Sequence, residues 1–282
     1  SGGKHSHEMP AYLAAMELDA YEYQFGRGVS ISREKAGAIR EAAARHGVAM
    51  SVHAPYYINL ASEDPDKRNA SVGYVLQSLE AAQWLGAART ILHPGSANHS
   101  GGRPGALEAA RVLLRRVLDE AGEQGLLDGD AILCPEVMGK INQLGDLAEV
   151  VALCRMDDRL VPCVDFGHLN ARTRGAMDSE DAFRAACLTV ADGLGQERMR
   201  RMHVHFSRIE YSEGGEKKHH TLADRRYGPD FEPFARVLAS LRMTPWIICE
   251  SNGTQAEDAR TMKDLYREAL RTCREHPSQV HL

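Results

Sequence analysis

The segment AILCPE, residues 131–136, is a short apolar run that closes on a proline and a carboxylate, Glu136. A run of that length, bounded by turn residues, reads as a strand buried on both faces. Outward from it in both directions the same construction recurs. The runs at 48–53, 90–93, 161–165, 202–206 and 246–250 are apolar or β-branched, and they deliver His53, His93, Asp165, His203 with His205, and Glu250 at or near their C-terminal ends. A further run at 18–25 precedes them. Between the runs, apolar residues at helical spacing predict helices at 9–16, 32–46, 66–85, 106–122, 145–154, 179–191, 231–241 and 256–275. Ser32 is placed to cap its helix and Gly47 to stop it.

Strand-then-helix units in series imply a parallel sheet with right-handed crossovers. Closure into a TIM-type (β/α) barrel is the leading reading, with an open doubly wound sheet second. Seven strands are visible where a closed barrel needs about eight, so the first barrel strand is expected to be missing from this chain and the wall open on that side. No Pro/Gly/Ser-rich linker divides residues 1–282, which therefore read as one catalytic domain.

In the chain's 282 residues, 34 Lys and Arg face 39 Asp and Glu, for a formal charge of −5 with all 13 histidines neutral. At 43% hydrophobic and 26% charged the composition is globular rather than disordered. The acidic balance speaks against a basic nucleic-acid coat protein, although a local basic site remains compatible with it. No apolar stretch approaches the length of a membrane span, and SGGKHSHEMP at 1–10 has no signal core. The six cysteines form no CxxC pair and predict reduced, buried thiols in a cytoplasmic protein.

In parallel α/β folds the C-terminal strand ends converge on one face, where active sites are built. Side chains from six strand ends would therefore share one pocket. Histidine and carboxylate are ligands for zinc and similar divalent ions, and manganese or iron tolerate overlapping sets. Singly, each residue has a plain structural reading: a hydrogen-bonded histidine, a helix cap at Asp165, a solvated turn at Glu250. Jointly they predict a metal site. The ligands exceed what one tetrahedral ion uses, so two or three ions bridged by Glu136 are expected.

Quoted in order, VHAPYYINLAS (52–62), LHPGS (92–96), Glu136 followed by GKINQLG (139–145), VDFGHLNA (164–171), MHVHF (202–206), KHHTL (218–222) and IICES (247–251) resemble the endonuclease IV family of abasic-site nucleases. That family belongs to the xylose isomerase-like TIM barrel superfamily and binds three zinc ions. The resemblance implies that His53 and His93 bind one ion with Glu136, which bridges to a second completed by Asp165, His203 and Glu250. His168 and His219 would help to hold the third. Glu136 and Glu250 would be catalytic. The implied reaction is hydrolysis of the phosphodiester 5′ to an abasic deoxyribose in double-stranded DNA by a metal-bridging hydroxide, as in base excision repair. Arg27, Tyr56 and Tyr57 stand where the family contacts DNA. No membrane and no obligate protein partner are implied. One departure is specific: the family's third-site aspartate falls at Lys217, which cannot ligate as an ammonium. Glu216, one residue earlier, is the expected replacement.

Two other readings use the same residues. A sugar isomerase or epimerase barrel would need one ion held by Glu136, Asp165, His203 and Glu250, leaving His53, His93, His168 and His219 without a task. A non-catalytic, metal-stabilised binding barrel would fill its sites without turnover. His205, two residues from His203 on the same strand face, is expected to be a ligand itself, to support one or to pack in the core. Three divalent ions would add about six positive charges that the −5 omits.

Overall fold

The computed structural model describes residues 5–275; His276 and His281 lie outside them. Seven parallel strands form the wall: β1 (Ala20–Gln24), β2 (Ala49–His53), β3 (Arg89–Leu92), β4 (Ile132–Pro135), β5 (Cys163–Asp165), β6 (His203–Phe206) and β7 (Trp246–Cys249). β1 to β4 pair in sequence, as do β5, β6 and β7. Parallel bridges Leu133–Leu160 and Glu136–Cys163 join the two sets between β4 and β5. Among the described residues no ladder joins β1 to β7. That seam opens a cavity of about 980 Å³ lined by Ala20, Glu22, Trp246, Ile248, Met262 and Tyr266. The expected seven-stranded, one-side-open TIM barrel is what forms.

Helices cover the outside: α1 (Met9–Ala15), α2 (Arg33–His46), α3 (Pro65–Leu85), α4 (Gly102–Glu123), α5 (Leu147–Cys154), α6 (Phe166–Arg172), α7 (Glu180–Leu194), α8 (Gln196–Arg200), α9 (Phe231–Ser240) and α10 (Gln255–Glu275). Ser32 accepts from the Lys35 amide at 3.2 Å to start α2, and Gly47 ends it at φ 65°. Asp64 rather than Asp66 caps α3, because Pro65 takes the first helical position, where no amide donor is needed. Ile39, Val52 and Leu85 form part of a core between α2, α3 and the sheet; Leu114, Leu133, Phe166 and Phe234 belong to a larger one. All six cysteines are free, and five are buried.

Side chains alternate along each strand, so interior positions stack in layers. Glu22 is paired with Ser51 and Gln24 with His53; Cys163 is paired with His203 and Asp165 with His205. His53, Asp165 and His205 thus occupy the upper interior layer, and Glu22, Ser51, Cys163 and His203 the one beneath. Between β6 and α9, where the sequence shows neither a strand nor a helix pattern, an antiparallel hairpin forms, Arg208–Ser212 with Gly215–His220.

Candidate metal centre

Glu136, 1% exposed, is the hub of the upper layer. Its Oε2 lies 3.1 Å from His53 Nε2 and 3.1 Å from His93 Nε2. Its Oε1 lies 3.0 Å from His205 Nδ1 and 3.5 Å from His168 Nδ1, although the latter nitrogen is hydrogen-bonded to the Val137 carbonyl at 3.0 Å. The two carboxylate oxygens therefore face two different sets of imidazoles, as a bridging ligand must. Glu250 Oε1 stands 3.5 Å from His205 Nδ1, and its Oε2 stands 4.0 Å from His219 Nδ1.

Asp165 combines the two roles that its sequence context allows. One oxygen caps α6 by accepting from the His168 amide at 2.7 Å. The other, buried and without a hydrogen-bond partner, lies 3.3 Å from His168 Nδ1. Several rings are oriented from behind: a ring nitrogen of His53 contacts the Ala54 carbonyl at 2.8 Å, and His219 Nδ1 meets the Ser207 hydroxyl at 2.9 Å. At His53 the bond from Nδ1 to the backbone commits that nitrogen and leaves Nε2 as the one directed at Glu136.

Glu216 reaches the cluster where Lys217 does not. Its Oε2 lies 3.4 Å from His168 Nε2 and its Oε1 3.8 Å from His219 Nε2. Lys217 turns outward to Glu210 at 2.8 Å. The hairpin is docked by its backbone: Glu216 N donates to the Gly139 carbonyl at 3.2 Å, and a Cβ on Gly215 would fall 2.2 Å from that oxygen. Only glycine, here at φ 90°, allows so close an approach.

His203 does not join this cluster, which corrects its expected place as a ligand. Its pairing with Cys163 and Trp246 sets it one layer, about 6.5 Å, below the strand end. There its Nε2 lies 3.1 Å from Glu22 Oε2. His205 takes the position expected for His203. Reading the first histidine of MHVHF as the strand end placed the ligand one layer too low. Glu22 was passed over altogether, although the alternation of Tyr21, Tyr23 and Phe25 with Glu22 and Gln24 marks a strand with one polar face.

Burial disfavours charge on His53, but its contact with Glu136 outweighs this and lifts the ring to about 9. At His168 burial is likewise overcome, by Asp165 first and then Glu216, Glu136 and Glu250, again reaching about 9. Burial alone would raise Glu136, yet His205, His53 and His93 hold it well below the ordinary carboxylate range. Burial, only partly offset by His168, pushes Asp165 up to about 6. Rings that bind protons this firmly between carboxylates mark a place prepared for positive charge.

The donor set fits divalent ions. Five groups of described residues have ligand atoms within 4.8 Å of one another: three at the strand ends, His53, Glu136 and His205, then Glu136, Asp165, His168 and Glu250, then His168, His219 and Glu250, and two that reach the layer beneath, Cys163, His203 and His205, and Glu22, His205 and Glu250. His93 and Glu216 lie at the margins of the first and third. Above them a cavity of about 670 Å³ is lined by Tyr56, Lys140, Lys218 and Gln255 along with the cluster. Tyr56 and Tyr57 are 47% and 53% exposed, with ring centroids 4.5 Å apart. Arg27 is hydrogen-bonded to Tyr56. Lys140 and Lys218 are rim cations that sequence reasoning did not single out.

A family model described as "Xylose isomerase-like TIM barrel" matches residues 10–276. An uncharacterized protein of Methanocaldococcus jannaschii, MJ0133, is 28% identical over 251 residues, 89% of this chain and 88% of that protein. A probable endonuclease 4 of Mycoplasmoides gallisepticum is 31% identical over 141 residues, but the match spans only 46% of this chain and 44% of that protein. Among solved structures, endonuclease IV of Thermus thermophilus superposes with a TM-score of 0.68 at 22% identity, covering 96% of each chain. D-psicose 3-epimerase of Clostridium cellulolyticum H10 superposes at 0.66 and 16% identity, covering 95% of this chain and 94% of that one. At such identities the superpositions show a shared fold. Among the described residues no helix is long and apolar enough to cross a membrane.

Proposed function

The chain belongs to the xylose isomerase-like TIM barrel family, and we propose that within it this protein is a metal-dependent phosphodiesterase that cleaves DNA on the 5′ side of abasic sites. The observation that carries this reading is the division of Glu136 between His53 with His93 at one oxygen and His205 at the other. A carboxylate shared in that way serves a multi-ion site, and the outer groups His219 and Glu216 extend it toward a third ion.

Bound divalent ions would acidify water and neutralise charge on the phosphate oxygens. His53, His93, Glu136, Asp165, His168, His205, Glu216, His219 and Glu250 would hold them, with zinc the first candidate and manganese or iron compatible. Glu136 and Glu250 are the carboxylates assigned to catalysis, since both face the cavity from its floor. Glu250 would accept a hydrogen bond from the attacking water. Lys140 and Lys218 on the rim can pair with phosphates flanking the scissile bond. Arg27, Tyr56 and Tyr57 lie beside the same opening and are assigned to the DNA duplex, where an abasic nucleotide is cheap to extrude because no base pair is lost.

A second reading rests on Glu136, Asp165, His205 and Glu250, which would suffice for one ion in a sugar isomerase or epimerase. It leaves His53, His93 and His219 unexplained. Counting metals per chain and assaying the same preparation on a duplex with one abasic site separates the two. Two or three ions with nicking are expected; one ion without nicking would replace the nuclease by the isomerase.

A further inference from the structure

Beneath the candidate metal centre lies a buried polar group to which the proposed chemistry gives no role. Glu22 projects from β1 into the barrel interior and is 9% exposed as a residue. Its Oε2 accepts the Ser51 hydroxyl at 2.7 Å and lies 3.1 Å from His203 Nε2. Its Oε1 lies 3.0 Å from His205 Nε2. His205 in turn presents Nδ1 to Glu136 at 3.0 Å and to Glu250 at 3.5 Å. The imidazole of His205 thus spans two interior layers, with a carboxylate on each of its nitrogens.

We propose that Glu22 is a positioning residue for the metal centre: it receives the Nε2 proton of His205 and thereby fixes the tautomer that leaves Nδ1 free to ligate. This rests on the metal-centre reading above. Histidines that ligate metal nearly always donate their other nitrogen to a carboxylate, carbonyl or water, which sets ring orientation and raises ligand basicity.

The surroundings of His205 leave few competitors for that proton. Glu136 and Glu250 are on the Nδ1 side. Cys163, also near the ring, offers only sulfur, a weak acceptor. His203, 3.1 Å from the other oxygen of Glu22, faces the carboxylate and not the His205 proton. The Glu22–His205 contact is close but off-line for a hydrogen bond, and both Glu22 Oε1 and His205 Nε2 lack other partners. Ser51 anchors the carboxylate from the opposite side.

The test measures metal binding without DNA. In the full chain, Glu22→Gln should still take up the wild-type number of ions at saturation, but the ion that His205 ligates should bind about 10–100-fold more weakly. The visible absorption of the cobalt(II)-substituted protein should shift, which a merely structural role would leave unmoved. Ser51→Ala, which keeps the carboxylate and frees it from its anchor, should show the same shift with a smaller loss, and it replaces Glu22→Gln should that variant not fold. Wild-type affinity together with an unchanged cobalt spectrum overturns the proposal. Loss of one whole equivalent at saturation also overturns it, since Glu22 would then be a ligand. A wild-type chain that binds no metal would instead sink the metal-centre reading on which the proposal depends.

Discussion

Glu216 and His219 share one face of their strand although they are three residues apart. A regular strand would send them to opposite faces. Opposite Tyr211 and Glu210, the second hairpin strand places Glu216 and then Lys218, so Lys217 is an extra residue in the ladder. Such a bulge bends the strand and re-aims the side chains beside it. It explains how the chain carries a lysine at the position where a ligand was expected and still brings a carboxylate 3.4 Å from His168.

Crowding at Gly139 offers a way to disturb that arrangement. A Cβ there would fall 2.6 Å from Glu216 Cβ and 3.0 Å from His168 Cδ2. Gly139→Ala should therefore push Glu216 out and mimic Glu216→Ala. Each variant should weaken one metal site, by about 10–100-fold for the indirect change, and leave the others filled. Mass-spectrometric metal counts on dialysed protein read this directly. Unchanged metal content in Glu216→Ala would remove Glu216 from the ligand set.

Glu136→Gln should have a wider effect. An amide offers one oxygen where the carboxylate offers two, and its NH₂ cannot ligate. Since each oxygen of Glu136 faces a different imidazole set, both bridged ions should be lost or misplaced. Hydrolysis of an abasic duplex should fall to background. Wild-type turnover in this variant would show that Glu136 does not bridge.

The strand ends were legible because buried parallel strands read as continuous apolar runs, against which a terminal His or carboxylate stands out. Depth within a strand was not legible in the same way. His203 and His205 differ only by position in a run of five residues, and it is the pairing of Asp165 with His205 that sets the level. That pairing joins residues 40 positions apart in the chain and has no local signature. Glu22 was hidden for a related reason. A carboxylate mid-strand between two tyrosines reads as a solvent-facing residue until closure of the barrel puts it inside. The hairpin after β6 escaped because its strands are mostly polar and charged, so no apolar run marks them.

Metal uptake and pH are linked through His53 and His168. In the metal-free fold both are raised from 6.5 to about 9. Charged rings therefore add stability that is complete below about pH 6.5 and lost as pH rises through 9. A ligating imidazole must shed its proton, so metal affinity should move the other way and climb across the same window. Melting of the metal-free protein should fall between pH 6.5 and 9 while affinity rises, and titration calorimetry in buffers of different ionisation enthalpy should show proton release. Affinity that does not vary with pH over this range would mean that neither ring is protonated before the metal enters.

At the rim, Tyr56 and Tyr57 expose large aromatic surfaces beside the cavity, where burying them on their own protein would have been favourable, and Arg27 is held against Tyr56. Aromatic faces of this kind stack on bases or fill the gap left by an extruded nucleotide, with about 1–3 kcal/mol lost per stacked base on truncation to alanine. A guanidinium on the same lip would contact phosphate, a term that weakens with salt. The two residues should therefore fail differently. Tyr56→Ala should weaken binding to an abasic duplex more than to an intact one, with an unchanged salt slope. Arg27→Ala should weaken both duplexes alike and reduce the slope of log affinity against log salt by about one. Fluorescence anisotropy on the two duplexes over a salt series measures both quantities, with metal content checked to exclude indirect effects. Equal losses on the two duplexes for Tyr56→Ala would mean that the tyrosine does not sense the missing base, and an unaltered slope for Arg27→Ala would leave the phosphate contacts to Lys140 and Lys218.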